Sequence, residues 1–95
     1  MYCRMVIGEA ISPDQLNTLQ SLFTEEIRSE IAKEEGNIGA NFMVEDGGNM
    51  MIVVTHWTTR ENCLKYHCSR AYRQFVAKTQ HLLIGDFVVK VFRME

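Results

Sequence analysis

His67 is the residue whose type and spacing best suit chemistry in this 95-residue chain. It follows Cys63 and Leu64 and precedes Ala71 at helical spacings of three and four, which place these side chains on one side of a helix. We therefore predict that His67 points toward a sheet beneath that helix. There the imidazole can accept or donate a proton near neutral pH. A histidine that only hydrogen-bonds a carbonyl fits the same pattern.

Aromatic residues surround His67 in the sequence. His56 and Trp57 end an apolar stretch just before the helix, and because they are adjacent in a strand, one of them must face the helical side. Trp57 offers a flat wall for an aromatic ligand, although a tryptophan at a strand end also serves as a core residue. Simple packing between helix and sheet is the alternative for the residues that could extend this wall. These are Tyr66, Tyr72 and Phe75.

Asn41 lies among apolar neighbours in a predicted strand. A buried amide requires hydrogen-bond partners. Asn41 is therefore predicted either to make a structural hydrogen bond or to contact a substrate.

The sequence gives little support for a metal or another cofactor. Cys63 and His67 are one turn apart and could chelate a metal, but no recognised four-ligand spacing includes them. The possible additional ligands are His56, Cys68 and His81. Phosphate-loop, dinucleotide-binding and serine-hydrolase motifs do not occur. We expect no metal and no cofactor, while a flavin at a dimer interface remains open from sequence.

Composition predicts one globular domain over residues 1–95. Hydrophobic residues make up 46% and charged residues 23% of the chain, which is typical of a globular protein. The three cysteines form no disulfide or zinc pattern. Neither a leader segment nor a long apolar run is recognised, so we expect a cytoplasmic protein without membrane contact. Residues 12–36 are mainly acidic and residues 58–81 mainly basic. This asymmetry indicates two solvated helix faces rather than a nucleic-acid site.

The element order follows from hydrophobic periodicity and turn residues. Strands are predicted over residues 2–11, 37–45, 50–57 and 87–94, with a hairpin turn at 46–49. A helix capped by Ser12 and Gln15 should run to Gly36, with a stripe at Leu16, Leu19, Phe23, Ile27 and Ile31. Thr58 and Glu61 should open a second helix through Cys68, and Ser69 a continuation through His81.

The order strand, helix, strand, strand, helix, strand predicts an α+β, ferredoxin-like βαββαβ fold. Its four-stranded antiparallel sheet would carry two helices on one face. Several strands are apolar on both sides, and an apolar sheet face does not stay in water. We therefore predict a homodimer in which the uncovered faces of two copies pack together.

The chain resembles the antibiotic-biosynthesis monooxygenase domain of the dimeric α+β barrel superfamily over nearly all of its length. The resemblance rests on the element order, on residues 34–37 leading into the second strand, and on the stretch HWTTRENCLKYHCSRAYRQF at 56–75. It implies a dimeric barrel and a small oxygenase that acts on phenols or quinols without metal or flavin. Haem-degrading relatives would require a histidine near Val76 or Ala77 and an asparagine near Val6 or Ile7, and both are missing.

The leading hypothesis is a cofactor-independent monooxygenase acting on a small aromatic phenol or quinol. His67 would remove a proton and the resulting anion would react directly with oxygen. Trp57, Tyr72 and Phe75 would position the ring, and Asn41 or Tyr66 would bind the developing oxyanion. The alternatives are a dimer that binds a metabolite without turnover, and an isomerase of a small carbonyl compound with His67 as proton shuttle.

Overall fold

Four strands form one antiparallel sheet in the computed structural model, which describes all 95 residues. They are β1 (Tyr2–Glu9), β2 (Asn37–Val44), β3 (Met50–Trp57) and β4 (Val88–Arg93). Their order across the sheet is β2-β3-β1-β4, so β1 lies inside, paired with β3 and β4. The predicted ferredoxin-like α+β fold is confirmed.

The strand register decides which side chains share a face. Arg4 of β1 lies beside Thr55 of β3 and Val91 of β4, and these residues belong to the face toward the helices. Met5, the next residue, pairs with Val54, which in turn pairs with Asn41 of β2. Since neighbouring residues of a strand point to opposite faces, Asn41 lies on the face away from the helices.

The first helical segment packs on the sheet through its predicted stripe. It consists of α1 (Pro13–Leu22), a π-helical turn (Phe23–Ile27) and α2 (Arg28–Ala32). The stripe residues that are buried are Leu19, Phe23, Ile27 and Ile31. Spacings of exclusively four would carry such a stripe around an α-helix of 3.6 residues per turn. The wider π turn takes up this drift, so the stripe keeps facing the sheet.

The second helical segment is broken between α3 (Arg60–His67) and α4 (Arg70–Thr79), and a 3₁₀ turn (Gln80–Leu82) follows. Ser69 causes the break as predicted, because its hydroxyl accepts a hydrogen bond from the Tyr72 N–H at 3.1 Å and starts a new helix. Ser12 is the N-cap residue of α1 as predicted, but two details of the predicted capping were wrong. Thr59, not Thr58, caps α3, and the Ser12 hydroxyl contacts the Gln15 side chain instead of a backbone N–H.

The core lies between the sheet and the helices, whereas the other face of the sheet carries no helix. Fully buried core residues include Val6, Phe23 and Trp57. Beyond the sheet, large apolar side chains such as Met43, Val88 and Phe92 stay exposed. No helix is both long and apolar enough to span a membrane.

Gly36 and Gly47 provide a matched test of how the loop before β2 holds the start of α3. Both have φ near +80°, at +78° and +79°, but a Cβ on Gly36 would strike the side chains of Asn62 and Thr58, while Gly47 faces open space. We expect Gly47→Ala to lower the free energy of unfolding by about 1 kcal/mol, the cost of the left-handed backbone. Gly36→Ala should cost about 2–3 kcal/mol because the clash adds to that strain.

Urea unfolding followed by circular dichroism measures this difference. Equal losses for the two variants would show that Asn62 moves aside freely and that the contact does not position α3.

Candidate functional site

A buried cation lies at the centre of the layer between sheet and helices. Arg4 is only 1% exposed, and none of the ion pairs of the structure includes it. Its guanidinium carbon lies 4.2 Å from the centre of the Tyr72 ring and 5.0 Å from that of Tyr66. Each such cation–π contact stabilises a desolvated charge by about 2 kcal/mol. The charge is therefore held by aromatic faces instead of by a carboxylate.

Arg4 also donates a hydrogen bond to His67, from Nη2 to Nδ1 over 2.7 Å. A guanidinium has donors only, so Nδ1 must be the unprotonated, accepting nitrogen of the imidazole. In the neutral ring the hydrogen then resides on Nε2. The one accepting nitrogen of His67 is thus the nitrogen that faces the buried charge.

The predicted orientation of His67 requires a correction. The buried side of α3 is formed by Cys63 and Tyr66, while Leu64 and His67 are exposed. Because His67 is the last residue of α3, its ring still reaches back to Arg4 from the exposed side. His67 therefore lies at the boundary between the buried charge and solvent.

The predicted aromatic residues do form a continuous layer. Ring centres are separated by 5.1 Å for Trp57 and Tyr66, by 5.6 Å for Tyr66 and Tyr72, and by 6.2 Å for Tyr72 and Phe75. His67 joins the layer 5.2 Å from Tyr72. The structure thus brings together five residues that the sequence analysis grouped: His67, Tyr66, Tyr72, Phe75 and Trp57.

Trp57 is the innermost residue of this layer. It has no exposed surface, and its indole N–H donates to the Thr55 hydroxyl at 2.9 Å. With its only polar group satisfied inside the core, Trp57 packs behind Tyr66 and contributes no polar group to a ligand.

Tyr66 keeps its hydroxyl proton in the folded protein. Burial raises the pKa of Tyr66 far above its ordinary value, and the nearby Arg4 charge offsets only part of this effect. Burial likewise raises the pKa of the Cys63 thiol, again opposed by Arg4. The site therefore contains a permanent cation at Arg4, a neutral phenol at Tyr66 and an exposed imidazole at His67.

Asn41 is not part of this arrangement. Its side chain is exposed, not buried as the sequence suggested, and it lies on the opposite face of the sheet with His56. Both residues line an open, mainly apolar cavity of about 650 Å³ there, together with Cys3, Met5 and Phe92. The predicted substrate-binding set is thus divided by the sheet.

The aromatic layer is closed in this structure. None of the five main cavities is lined by Arg4, Trp57 or His67. The nearest, of about 170 Å³, reaches Tyr72 from the side of Asp86 and Phe87. A ligand that contacts Arg4 must therefore displace a ring, and His67 is the ring that faces solvent.

No three side chains among His, Cys, Asp and Glu come together as a metal-binding cluster.

Arg4 is the residue of this candidate site that sequence reasoning missed. It is a charged residue in a strand that is otherwise nearly continuous in apolar and small residues. Such a charge in an inner strand must be buried, which is costly without a partner. A charge that interrupts an apolar inner strand was therefore the feature that could have identified Arg4. The partners of Arg4, however, come from α3 and α4, which are far away in the sequence.

The fold agrees with a family comparison. A model of the family described as antibiotic biosynthesis monooxygenase matches residues 4–78. Because the match covers more than half of the chain, the protein belongs to this family. A search of curated proteins found no match.

Solved structures share the fold at low sequence identity. A Streptomyces coelicolor monooxygenase from the gene ActVA-Orf6, in complex with the ligand nanaomycin D, superposes with a TM-score of 0.86 at 13% identity, over 99% of this chain and 87% of its own. Rv0793 from Mycobacterium tuberculosis gives 0.79 at 16%, over 100% and 96%. A conserved Methanosarcina mazei protein gives 0.81 at 16%, over 100% and 94%. At these identities the likeness establishes the shared fold.

Tyr66 predicts an alkaline limit of stability. An unfolded tyrosine has a pKa of about 10, and burial raises that of Tyr66, so above this pH the unfolded chain loses the proton more readily than the folded one. The stabilising effect of burying the neutral phenol is therefore complete below pH ~10 and falls as pH rises further.

Tyrosinate absorbance during an alkaline titration, with circular dichroism in parallel, tests this expectation. One tyrosine should ionise only as the protein unfolds, and Tyr66→Phe should lack that late step. A late step that persists in Tyr66→Phe would assign it to another tyrosine.

Proposed function

We propose that this protein is a cofactor-independent monooxygenase acting on a small aromatic phenol or quinol, with Arg4 and His67 at its reacting centre. The observation that carries the proposal is the 2.7 Å contact between Arg4 Nη2 and His67 Nδ1 at the edge of an aromatic layer. It joins a permanent hydrogen-bond donor and an imidazole nitrogen that accepts, which are the two groups that the ionisation of a phenol requires.

A phenol oxygen that enters between the two groups satisfies both. Its hydroxyl donates to His67 Nδ1, which takes the proton as general base. Arg4 Nη2 donates to the same oxygen and stabilises the negative charge that develops there. Because Arg4 is buried among tyrosine rings, its charge is only weakly screened and its effect on the phenolate is strong.

The phenolate then reacts with molecular oxygen. One oxygen atom is added to a ring carbon that loses its hydrogen, and the other leaves as water, so that a phenol becomes a quinone. The substrate itself supplies both electron pairs that reduce the oxygen molecule. A phenolate is much more electron-rich than a phenol, so proton removal by His67 is the step that the protein accelerates.

The surrounding residues have distinct parts in this scheme. Tyr72 and Phe75 form the wall against which the substrate ring lies, and Trp57 supports Tyr66 from behind. Tyr66 keeps its proton and is therefore a hydrogen-bond donor suited to an oxyanion. The same part was predicted for Asn41, but its position on the opposite face does not support it.

We further propose that the protein is a cytoplasmic homodimer joined through the open face of the sheet. That face exposes large apolar side chains, among them Met43, Val88 and Phe92. Two copies packed across a two-fold axis would remove this surface from water. The three free cysteines suit a reducing compartment.

A dimer that binds a metabolite without turnover is the second candidate, and the open apolar cavity of about 650 Å³ on the other face favours it, because neither Arg4 nor His67 lines that cavity. Oxygen uptake in the presence of an anthrol or naphthoquinol distinguishes the two functions. An isomerase of a small carbonyl compound, with His67 as proton shuttle, would form product without consuming oxygen.

Substitution of His67 tests its part as a base. His67→Ala should lower the rate of oxygen uptake by about 10²–10⁴-fold, the usual contribution of general-base catalysis. The variant should stay folded but with a lower melting temperature, because the buried Arg4 Nη2 loses its hydrogen-bond acceptor. His67→Gln should be equally slow, since the amide can accept a hydrogen bond from Arg4 but cannot take the proton. Restored activity in the glutamine variant would show that His67 only positions Arg4.

Two neighbouring residues of β4 test the proposed dimer. Phe92 lies on the open face and is 48% exposed, while Val91 lies on the other face and is 41% exposed. Phe92→Glu should weaken the dimer, because burying a carboxylate in an apolar interface is costly, whereas Val91→Glu should not. Analytical ultracentrifugation at micromolar concentration measures the difference. A folded 11.0 kDa monomer for the unmodified protein would refute the dimer.

A further inference from the structure

The second amino group of Arg4 has no hydrogen-bond partner. Nη2 is satisfied by His67, but Nη1 is buried and unpaired, and it is the one buried side-chain polar atom of the protein in this state. A buried donor without a partner destabilises the folded state, and a charged one does so more strongly. Such a group in a native structure requires a specific explanation, and a bound ligand or a catalytic role is one.

The geometry around the guanidinium limits how a ligand can reach it. The guanidinium carbon lies over the rings of Tyr66 and Tyr72, so these rings occupy space around the charge that a ligand cannot use. The N–H groups point outward in the plane of the guanidinium, where they form a fork that matches two oxygen atoms side by side. His67 stands at this edge, and it is the exposed member of the group.

We infer that Arg4 binds its ligand with both amino groups, and that the ligand is therefore an aromatic compound with two neighbouring oxygen atoms in one plane. Either a carboxylate or an ortho pair of ring oxygens has this arrangement. One oxygen lies between Nη2 and His67, and the second satisfies Nη1. The His67 side chain turns outward to admit the ring. The inference uses the proposed function only for the aromatic character of the ligand.

The fork of N–H groups restricts which ligands bind more strongly than the positive charge alone does. Paired hydrogen bonds from Arg to two oxygens are geometrically specific, and a lysine, which is a point charge, does not reproduce them. A ligand with one oxygen leaves Nη1 buried and unpaired, and that difference is enough for a preference of about tenfold or more.

Two pairs of small probes test the inference by calorimetry or ligand-detected NMR under nitrogen. Benzoate and thiobenzoate carry the same negative charge, but benzoate has two oxygen atoms where thiobenzoate has one oxygen and one sulfur. Catechol has neighbouring hydroxyls where hydroquinone has them opposite. We expect the first member of at least one pair to bind at least about tenfold more tightly. The pair that is distinguished shows whether a carboxylate or an ortho pair of ring oxygens is the natural partner.

Three variants assign this preference to Arg4. Arg4→Met should remain folded, because an apolar side chain removes the desolvation cost of a buried charge that has no carboxylate partner, and it should lose the preference. Arg4→Lys keeps the charge without the fork and should also lose it, which decides the matter if the methionine variant does not fold. Arg70→Met, at an exposed arginine that starts α4, should behave as the unmodified protein.

The inference is overturned if neither pair is distinguished, or if the preference persists in Arg4→Met or Arg4→Lys. Oxygen uptake is measured separately with the anthrol or naphthoquinol. A clear preference without oxygen uptake would support the inference while rejecting the monooxygenase. Oxygen uptake without any preference would do the reverse.

Discussion

The burial of the Arg4 guanidinium is the constraint on which the site depends. A charge removed from water is costly, and here two tyrosine rings and an imidazole lone pair take the place of a carboxylate. These three contacts must come from the end of α3 and the start of α4 at once. The break at Ser69 makes this possible, because a continuous helix would turn Tyr66 and Tyr72, which are six residues apart, to different sides.

The absence of a carboxylate partner determines the chemistry that the site can perform. A salt bridge would neutralise Arg4 and leave nothing for an anion to gain. In its place a neutral imidazole accepts a hydrogen bond through Nδ1, so the positive charge stays available to a ligand. The atoms that hold the closed aromatic layer together are the ones that we propose ionise and bind the substrate. Entry of the substrate would exchange one set of hydrogen bonds for another.

The two faces of the sheet carry different sets of side chains because successive residues of a strand point to opposite faces. One face carries Arg4 and the aromatic layer, and the other carries Asn41, His56 and a broad apolar surface. Adjacent residues therefore belong to different parts of the molecule: His56 to the open face and Trp57 to the core. Solved structures with only 13–16% identity share this fold, so largely different sequences reach the same backbone.

Local patterns in the sequence were sufficient to predict the elements, their order and the buried stripe of the first helix, because hydrophobic periodicity and turn residues act over a few neighbouring positions. The same patterns brought His67, Tyr66, Tyr72 and Phe75 together, since all four belong to one helical segment. They could not place Asn41, because the face of a strand depends on pairing with strands distant in the chain. Nor could they find the partners of Arg4, which lie 62 to 68 residues away and meet it only when the helices pack on the sheet. The chemistry of each side chain was thus known from the sequence, but only the tertiary structure decided which charge faced which ring.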